Sequence, residues 1–67
     1  MGRVEIQIMQ VSPDSRTPIG NWMTIEIVEP QPQGIAMAMA SIQSRYPPGT
    51  RVRAIDMESG RLVDMLS

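Results

Sequence analysis

The chain has no cysteine, no histidine and no phenylalanine among its 67 residues. Without cysteine there are no disulfides and no thiolate metal sites. Without histidine, the commonest metal ligand and the commonest general base are both missing. One tryptophan and one tyrosine are present, whereas RNA-binding sheets normally offer several stacking aromatics. Charge of one sign is missing too. Six basic residues against seven acidic ones give a net charge of −1, so no large field draws the chain to phosphate backbones or anionic membranes. Every basic residue is arginine (Arg3, Arg16, Arg45, Arg51, Arg53, Arg61), a bias that genome composition explains as readily as a preference for planar, bidentate contacts. No apolar run approaches the ~18 residues of a membrane span. The opening MGRVEIQIMQ is too short and too polar for a secretory signal, and no Ser or Thr follows Gly2 where a myristoylation signal places one. A soluble, cytoplasmic protein is expected.

A chain of this length has room for one domain, here 1–67, and buries only about 60 % of the surface its unfolded form exposes. Domains this small usually gain the missing stability from disulfides, a metal or self-association. With disulfides and the usual metal ligands excluded by composition, self-association remains, and a homo-oligomer is expected.

Along the chain, Val4, Ile6 and Ile8 alternate with Arg3, Glu5 and Gln7, the period-two signature of a strand with one buried face. Residues 22–28, WMTIEIV, repeat it, with Met23, Ile25 and Ile27 on one side. SPDSRTPIGN between them is turn chemistry throughout. Pro30 and Pro32 end the second strand, and Pro32 suits the first turn of a helix. The stretch GIAMAMASIQSRY, residues 34–46, begins with a strand-like alternation. On a helical wheel, however, Ile35, Ala38, Met39, Ile42 and Tyr46 gather on one side, and Ala and Met are good helix formers. Pro47, Pro48 and Gly49 then stop the helix. TRVRAID and RLVDML flank MESG, a four-residue connection closing a hairpin. Facing Asp56 with Arg61 pairs Ile55 with Leu62, Ala54 with Val63, Arg53 with Asp64 and Val52 with Met65. That puts Val52, Ala54, Val63 and Met65 on one face. The predicted fold is α+β, ββαββ: a hairpin over 3–29, a helix over 32–46 and a hairpin over 50–66. The four strands make a mainly antiparallel sheet with the helix packed on one face. Strand order stays open at this point.

The sheet face away from the helix is the first candidate for a function. Facing Val11 with Trp22 sends Met9, Val11, Trp22 and Val28 outward, and Ile55, Leu62 and Leu66 join them from the second hairpin. Such a patch, several hundred Å² in area, is the size of a contact surface. Arg51, Arg53 and Asp64 rim or interrupt it, and Trp and Arg are typical interface anchors. The alternative is that Trp22 and its neighbours tuck under the long loop. The second candidate is the back of the helix, where Ala36, Met37, Ala40, Ser41 and Ser44 carry none of the i to i+4 ion pairs of an ordinary surface helix. Partner-binding candidates are therefore Met9, Val11, Trp22, Arg51, Arg53, Ile55 and Leu62 on the sheet and Met37 on the helix.

Catalytic, cofactor and metal sites are not expected: nothing resembles a nucleophile system, a phosphate loop or a metal-spaced cluster. Asp56, Glu58 and Ser59 in DMESG lack the ligand ladder of an EF-hand and read as turn residues. Arg51 and Arg53 share a strand face and, with Trp22, support the alternative of weak nucleic-acid binding. An ion pair to Asp64 would occupy Arg53 in that case. Finally, YPPGTRVRAIDMESGRLVDML, residues 46–66, together with Trp22 and the Gln- and Met-bearing helix between them, resembles a loose class of very small phage open reading frames, including those of cyanophages. The class has no assigned activity, so no catalytic residue carries over. The resemblance implies a phage accessory protein that binds and modulates a host or virion protein.

Overall fold

The computed structural model describes every residue except Met1, Pro13, Arg16 and Ser67; two positions of the predicted turn segment, Pro13 and Arg16, thus lie outside the described residues. Strands β1 (Val4–Val11) and β2 (Pro18–Val28) are followed by helix α1 (Pro32–Arg45) and strands β3 (Arg51–Asp56) and β4 (Leu62–Leu66). The architecture is the α+β, ββαββ arrangement that periodicity predicts. One four-stranded sheet has the order β2-β1-β3-β4, with every neighbouring pair antiparallel. Both β2 and β3 are antiparallel to β1, so the two strands joined by the helix run parallel with β1 between them. The helix packs on β3, β1 and β2.

The alternation of the central strands sets the core. Val4, Ile6 and Ile8 from β1 and Val52 and Ala54 from β3 are buried against Ile35, Met39 and Ile42 of α1. Ala38 and Tyr46 pack at the margin, so the whole predicted helical stripe faces the sheet. Pro32 occupies the start of the helix, Gln31 caps it without a side-chain hydrogen bond, and Tyr46 is the extended C-cap. The Ile35 N–H donates to the Gln31 carbonyl at 2.9 Å, which closes the first turn that a missing side-chain cap leaves to the backbone. Beyond the helix, Thr50 is buried and its Oγ1 donates to the Pro47 carbonyl at 2.8 Å, pinning the Pro-Pro-Gly corner to the start of β3.

The edge strands depart from simple alternation. In the first hairpin Val11 faces Pro18, not Trp22, because β2 starts four residues earlier than WMTIEIV and the loop closes through a Ser12 N–H to Thr17 carbonyl bond of 2.8 Å. Two register irregularities interrupt the pairing, between Ile8 and Gln10 and between Ile6 and Gln7. The second inserts an extra residue of β2 opposite β1 and inverts the phase of the end of β2. Val28 therefore faces Val4 and packs on the core, while Ile27 faces Glu5 and points outward, 48 % exposed. Both reverse the sequence expectation.

The second hairpin behaves alike. Asp56 does face Arg61, its N–H donating to the Arg61 carbonyl at 2.9 Å, and Ile55 does face Leu62. A register shift then falls between Ala54 and Ile55, so Ala54 faces Asp64, Arg53 faces Met65 and Val52 faces Leu66. The extra residue is Val63. Leu66 consequently joins the core side and Met65 turns outward, again the reverse of the expected pairing. The expected Arg53 to Asp64 pair is replaced.

Candidate functional site

The outer sheet face has rows that can be read from the register, because directly opposed residues of antiparallel strands share a face. One row runs Ile27, Glu5, Ile55, Leu62 from β2 to β4, and the next runs Thr24, Gln7, Arg53, Met65. Met9 and Arg51 form a third row across β1 and β3, and Val11 with Pro18 lies beyond it.

A polar band crosses the middle. The Arg53 Nε donates to Gln7 Oε1 at 2.7 Å, and Gln7 Nε2 donates in turn to Glu5 Oε2 at 2.9 Å and, more weakly, to Thr24 Oγ1 at 3.4 Å. The Arg53 guanidinium carbon sits 4.0 Å from the centroid of the Trp22 ring, a cation–π contact that ties the edge strand β2 to the central strand β3. Among the described residues no buried side-chain nitrogen or oxygen lacks a hydrogen-bond partner.

Apolar side chains flank this band. Ile27, Leu62 and Met65 are 48, 54 and 43 % exposed, while Met9, Val11, Trp22 and Ile55 are half-buried by their neighbours. Of the sequence-derived candidates, the structure brings Met9, Val11, Trp22, Arg51, Arg53, Ile55 and Leu62 to this one face. Met37 stands apart on the helix back, on the opposite side of the molecule and 69 % exposed. Sequence reasoning missed Ile27 and Met65, and with them the Glu5, Gln7 and Thr24 side chains of the band. Nothing in the local composition signals the bulges that turn the two apolar residues outward; Gln7, by contrast, was legible as the outward neighbour of two core residues.

The acidic turn is occupied by its own backbone. The Glu58 N–H donates to Asp56 Oδ1 at 2.9 Å, the Arg61 N–H to Ser59 Oγ at 3.2 Å, and the Gly60 N–H to the Asp56 carbonyl at 2.7 Å. These bonds hold the hairpin closed with Gly60 at a φ of 74°. Arg3 Nε lies 3.8 Å from Glu29 Oε1, with both side chains well exposed. A depression beside the turn is lined by Asp56, Ser59, Arg61, Leu62 and Val63, and it lies around the edge of β4, away from the polar band.

The geometry defines a small α+β protein whose helix covers one sheet face over the central strands, with Met23 of β2, opposite Ile8, left exposed beyond it, and whose other face is bare. No protein-family model matches the chain, no curated protein matches it and no solved structure matches it. Among the described residues, no helix is long and apolar enough to cross a membrane.

Proposed function

We propose that this is a non-enzymatic protein-binding module whose bare sheet face takes a protein partner. The observation that carries the reading is the outer face itself: Ile27, Leu62 and Met65 stand exposed around an ordered Glu5, Gln7, Arg53 and Trp22 band. Apolar groups around anchored Trp and Arg side chains are the composition of an interface centre. Because the band is already hydrogen-bonded, its side chains lose little further freedom on binding. With the resemblance to phage reading frames, the reading becomes an accessory protein that engages a host or virion protein in the cytoplasm of the infected cell.

Affinity capture from the native cell extract tests this, with the wild-type chain, an Ile27→Glu/Leu62→Glu double variant and a Met37→Glu variant as baits. Loss of the captured protein with the double variant and retention with Met37→Glu is the expected result. Equal retention by all three baits would remove the sheet face from the function.

Weak nucleic-acid binding is the competing reading, and Arg51, Arg53 and Trp22 do share this face. Arg53 is already engaged by Gln7 and lies over the Trp22 ring, so the guanidinium occupies a ring face on which a base would stack. That reading predicts a Trp22 fluorescence titration with single-stranded oligonucleotide whose affinity falls steeply with salt. No change in Trp22 emission at low salt removes it.

A further inference from the structure

We propose that Met65 is an oxidation site: a peroxide-class oxidant converts its thioether to the sulfoxide, whose oxygen then takes a hydrogen bond from Arg53. The inference goes beyond the protein-binding reading and does not rest on it. Sulfur chemistry in this chain belongs to methionine alone, since there are seven methionines and no cysteine. Surface access sorts the described ones. Met37, Met23, Met57 and Met65 are 69, 56, 47 and 43 % exposed, whereas Met39 is 1 % exposed in the core. The first four accept oxygen in the folded chain, and Met39 does so only when the core opens. The step balances within itself. The sulfur lone pair attacks one oxygen of the peroxide, the S–O bond forms as the O–O bond breaks, and the departing hydroxide takes the remaining proton and leaves as water. Sulfur loses two electrons and the peroxide gains them.

Register singles out Met65 among the exposed four. The Met57 N–H donates to the Arg3 carbonyl and the Asp56 N–H to the Arg61 carbonyl, both at 2.9 Å. Odd-numbered residues of β3 therefore bond toward β1 and even-numbered ones toward β4. Met65 faces Arg53, so the two form a non-hydrogen-bonded pair, the kind whose Cα atoms stand about 4.5 Å apart and whose side chains come closest. The Met65 N–H accordingly points away from β3, into the open edge, where it donates to Asp64 Oδ1 at 2.8 Å. The other methionines lack this setting. Met37 stands on the helix back, and Met23 lies opposite Ile8 on the helix side of β2. Met57 lies across from Arg3, whose guanidinium is drawn to Glu29 at 3.8 Å. Met9 shares the outer face but is half-buried, in a hydrogen-bonded pair with Arg51 where side chains stand farther apart.

Arg53 has the donors to respond. Its Nε is committed to Gln7 Oε1 at 2.7 Å, and its guanidinium carbon lies 4.0 Å from the Trp22 centroid. A guanidinium carries five N–H donors, and Arg53 makes no other hydrogen bond to the described residues. A thioether is a weak acceptor, whereas a sulfoxide is polar. Oxidation therefore sets an acceptor on the β4 side of Arg53, opposite to Gln7 of β1 and Trp22 of β2. The new bond draws the guanidinium off the Trp22 ring, a contact that is modest where water reaches it. The polar band then extends onto β4, and the apolar flank of Leu62 and Met65 loses a member.

Stepwise hydrogen peroxide treatment of the full chain tests the proposal, with peptide mapping by mass spectrometry and Trp22 emission read on fractions whose Trp22 is unmodified. Met65 sulfoxide is expected to form roughly 10-fold or more faster than Met39 sulfoxide, which waits on opening of the core, with far-ultraviolet circular dichroism unchanged. Trp22 emission is expected to change in step with Met65 oxidation and to return on treatment with both methionine sulfoxide reductases. Met65→Leu, a swap close in volume, is expected to abolish the change while Met23, Met37 and Met57 still oxidise. Arg53→Leu, which adds no thioether, is expected to abolish it while Met65 still oxidises. An emission change that survives in either variant overturns the proposal, as does its absence in the wild type once Met65 is oxidised. Met65 oxidising no faster than Met39 overturns the site. Loss of dichroism in step with Met65 oxidation overturns the Arg53 bond, because the sulfoxide then acts by unfolding the chain. A change that the reductases leave in place is not thioether chemistry and overturns the proposal as well.

Discussion

Central and edge strands of this sheet are built from similar residues and do different things. β1 and β3 supply Val4, Ile6, Ile8, Val52 and Ala54 to the fully buried core, whereas β2 and β4 supply only partly buried members, Ile25, Val28 and Leu66. Yet WMTIEIV and LVDML are as apolar as VEIQIMQV. A central strand has neighbours on both sides and the helix above it, so its alternation converts directly into inside and outside. Each edge strand carries a bulge instead, which returns one apolar residue to the core and sends another to the surface. Apolar content on the edges is therefore a measure of exposed surface as much as of core.

Substituting the same residue type in the two settings is the sharpest way to break this comparison. Ile6 is fully buried in β1 and Ile27 is half-exposed in β2. Ile6→Ala is expected to cost about 3–4 kcal/mol through lost burial and an unfilled cavity, out of a total of roughly 3–10 kcal/mol for a chain this size. The variant is expected to be partly or wholly unfolded at room temperature. Ile27→Ala is expected to cost under about 1 kcal/mol. Urea unfolding of both, performed at a concentration where the wild type is monomeric, checks the ratio; similar losses would erase the distinction between the strands.

The turn that delivers β4 to its edge position comes next. Gly60 sits at a φ of 74° with nothing within 4 Å of the place a Cβ would take, and Gly34 lies in the helix with equally open surroundings. Gly60→Ala is expected to destabilise by about 1–2 kcal/mol through the left-handed backbone alone. Gly34→Ala is expected to stabilise by about 0.5–1 kcal/mol by lowering the entropy of the unfolded chain. Opposite shifts in the denaturation midpoint for one chemical change would show that conformation, not space, makes Gly60 necessary. Equal shifts would mean that the hairpin closes some other way.

Much of this fold was legible because its signals are periodic. The helical stripe Ile35, Met39, Ile42 and Tyr46 and the alternation of Val4, Ile6 and Ile8 both come from geometry that repeats along the chain. The Asp56 to Arg61 closure and the Ile55 to Leu62 pair were legible from turn chemistry. The bulges were not, since Ile25 and Val63 look like ordinary apolar members of their strands, and a bulge is decided by which phase lets Val28 and Leu66 reach the core. One unseen insertion in each edge strand exchanged Val28 for Ile27 and Leu66 for Met65 on the outer face. Strand order was equally closed to a pattern argument: β1 takes both central partners because its buried residues and those of β3 face the same helix, a tertiary fact. The outer face survived these errors because most of its candidates lie on the central strands or beside the turns.

Arg53 tests whether a central strand holds an edge strand through side chains as well as backbone. Its guanidinium stacks on Trp22 of β2 and its Nε bonds Gln7. Arg53→Met keeps most of the stem and removes both contacts, and a loss of about 1 kcal/mol is expected. Trp22 emission is expected to change with it, since the cation leaves the ring. A double-mutant cycle with Trp22→Leu separates the two contributions; a coupling energy of zero would reduce the stack to mere proximity.

The smallest expected stability effect belongs to Asp64, and it has the largest consequence for how the edges behave. Its side chain is exposed and accepts one backbone hydrogen bond from Met65, so Asp64→Ala is expected to change the unfolding free energy by only about a few tenths of a kcal/mol. It also frees an outward N–H on a short strand that already shows Leu62, Val63 and Met65 to solvent, the combination that recruits further strands. Light scattering and thioflavin fluorescence are expected to reveal growing assemblies in Asp64→Ala at concentrations where the wild type is silent. Asp64→Asn retains an oxygen acceptor and loses the charge. If it stays silent too, the hydrogen bond is the guard; if it assembles like Asp64→Ala, electrostatic repulsion is. Silence from both variants would assign the closure of this edge to the Val63 bulge alone, since the bulge is the one protective feature that neither substitution touches.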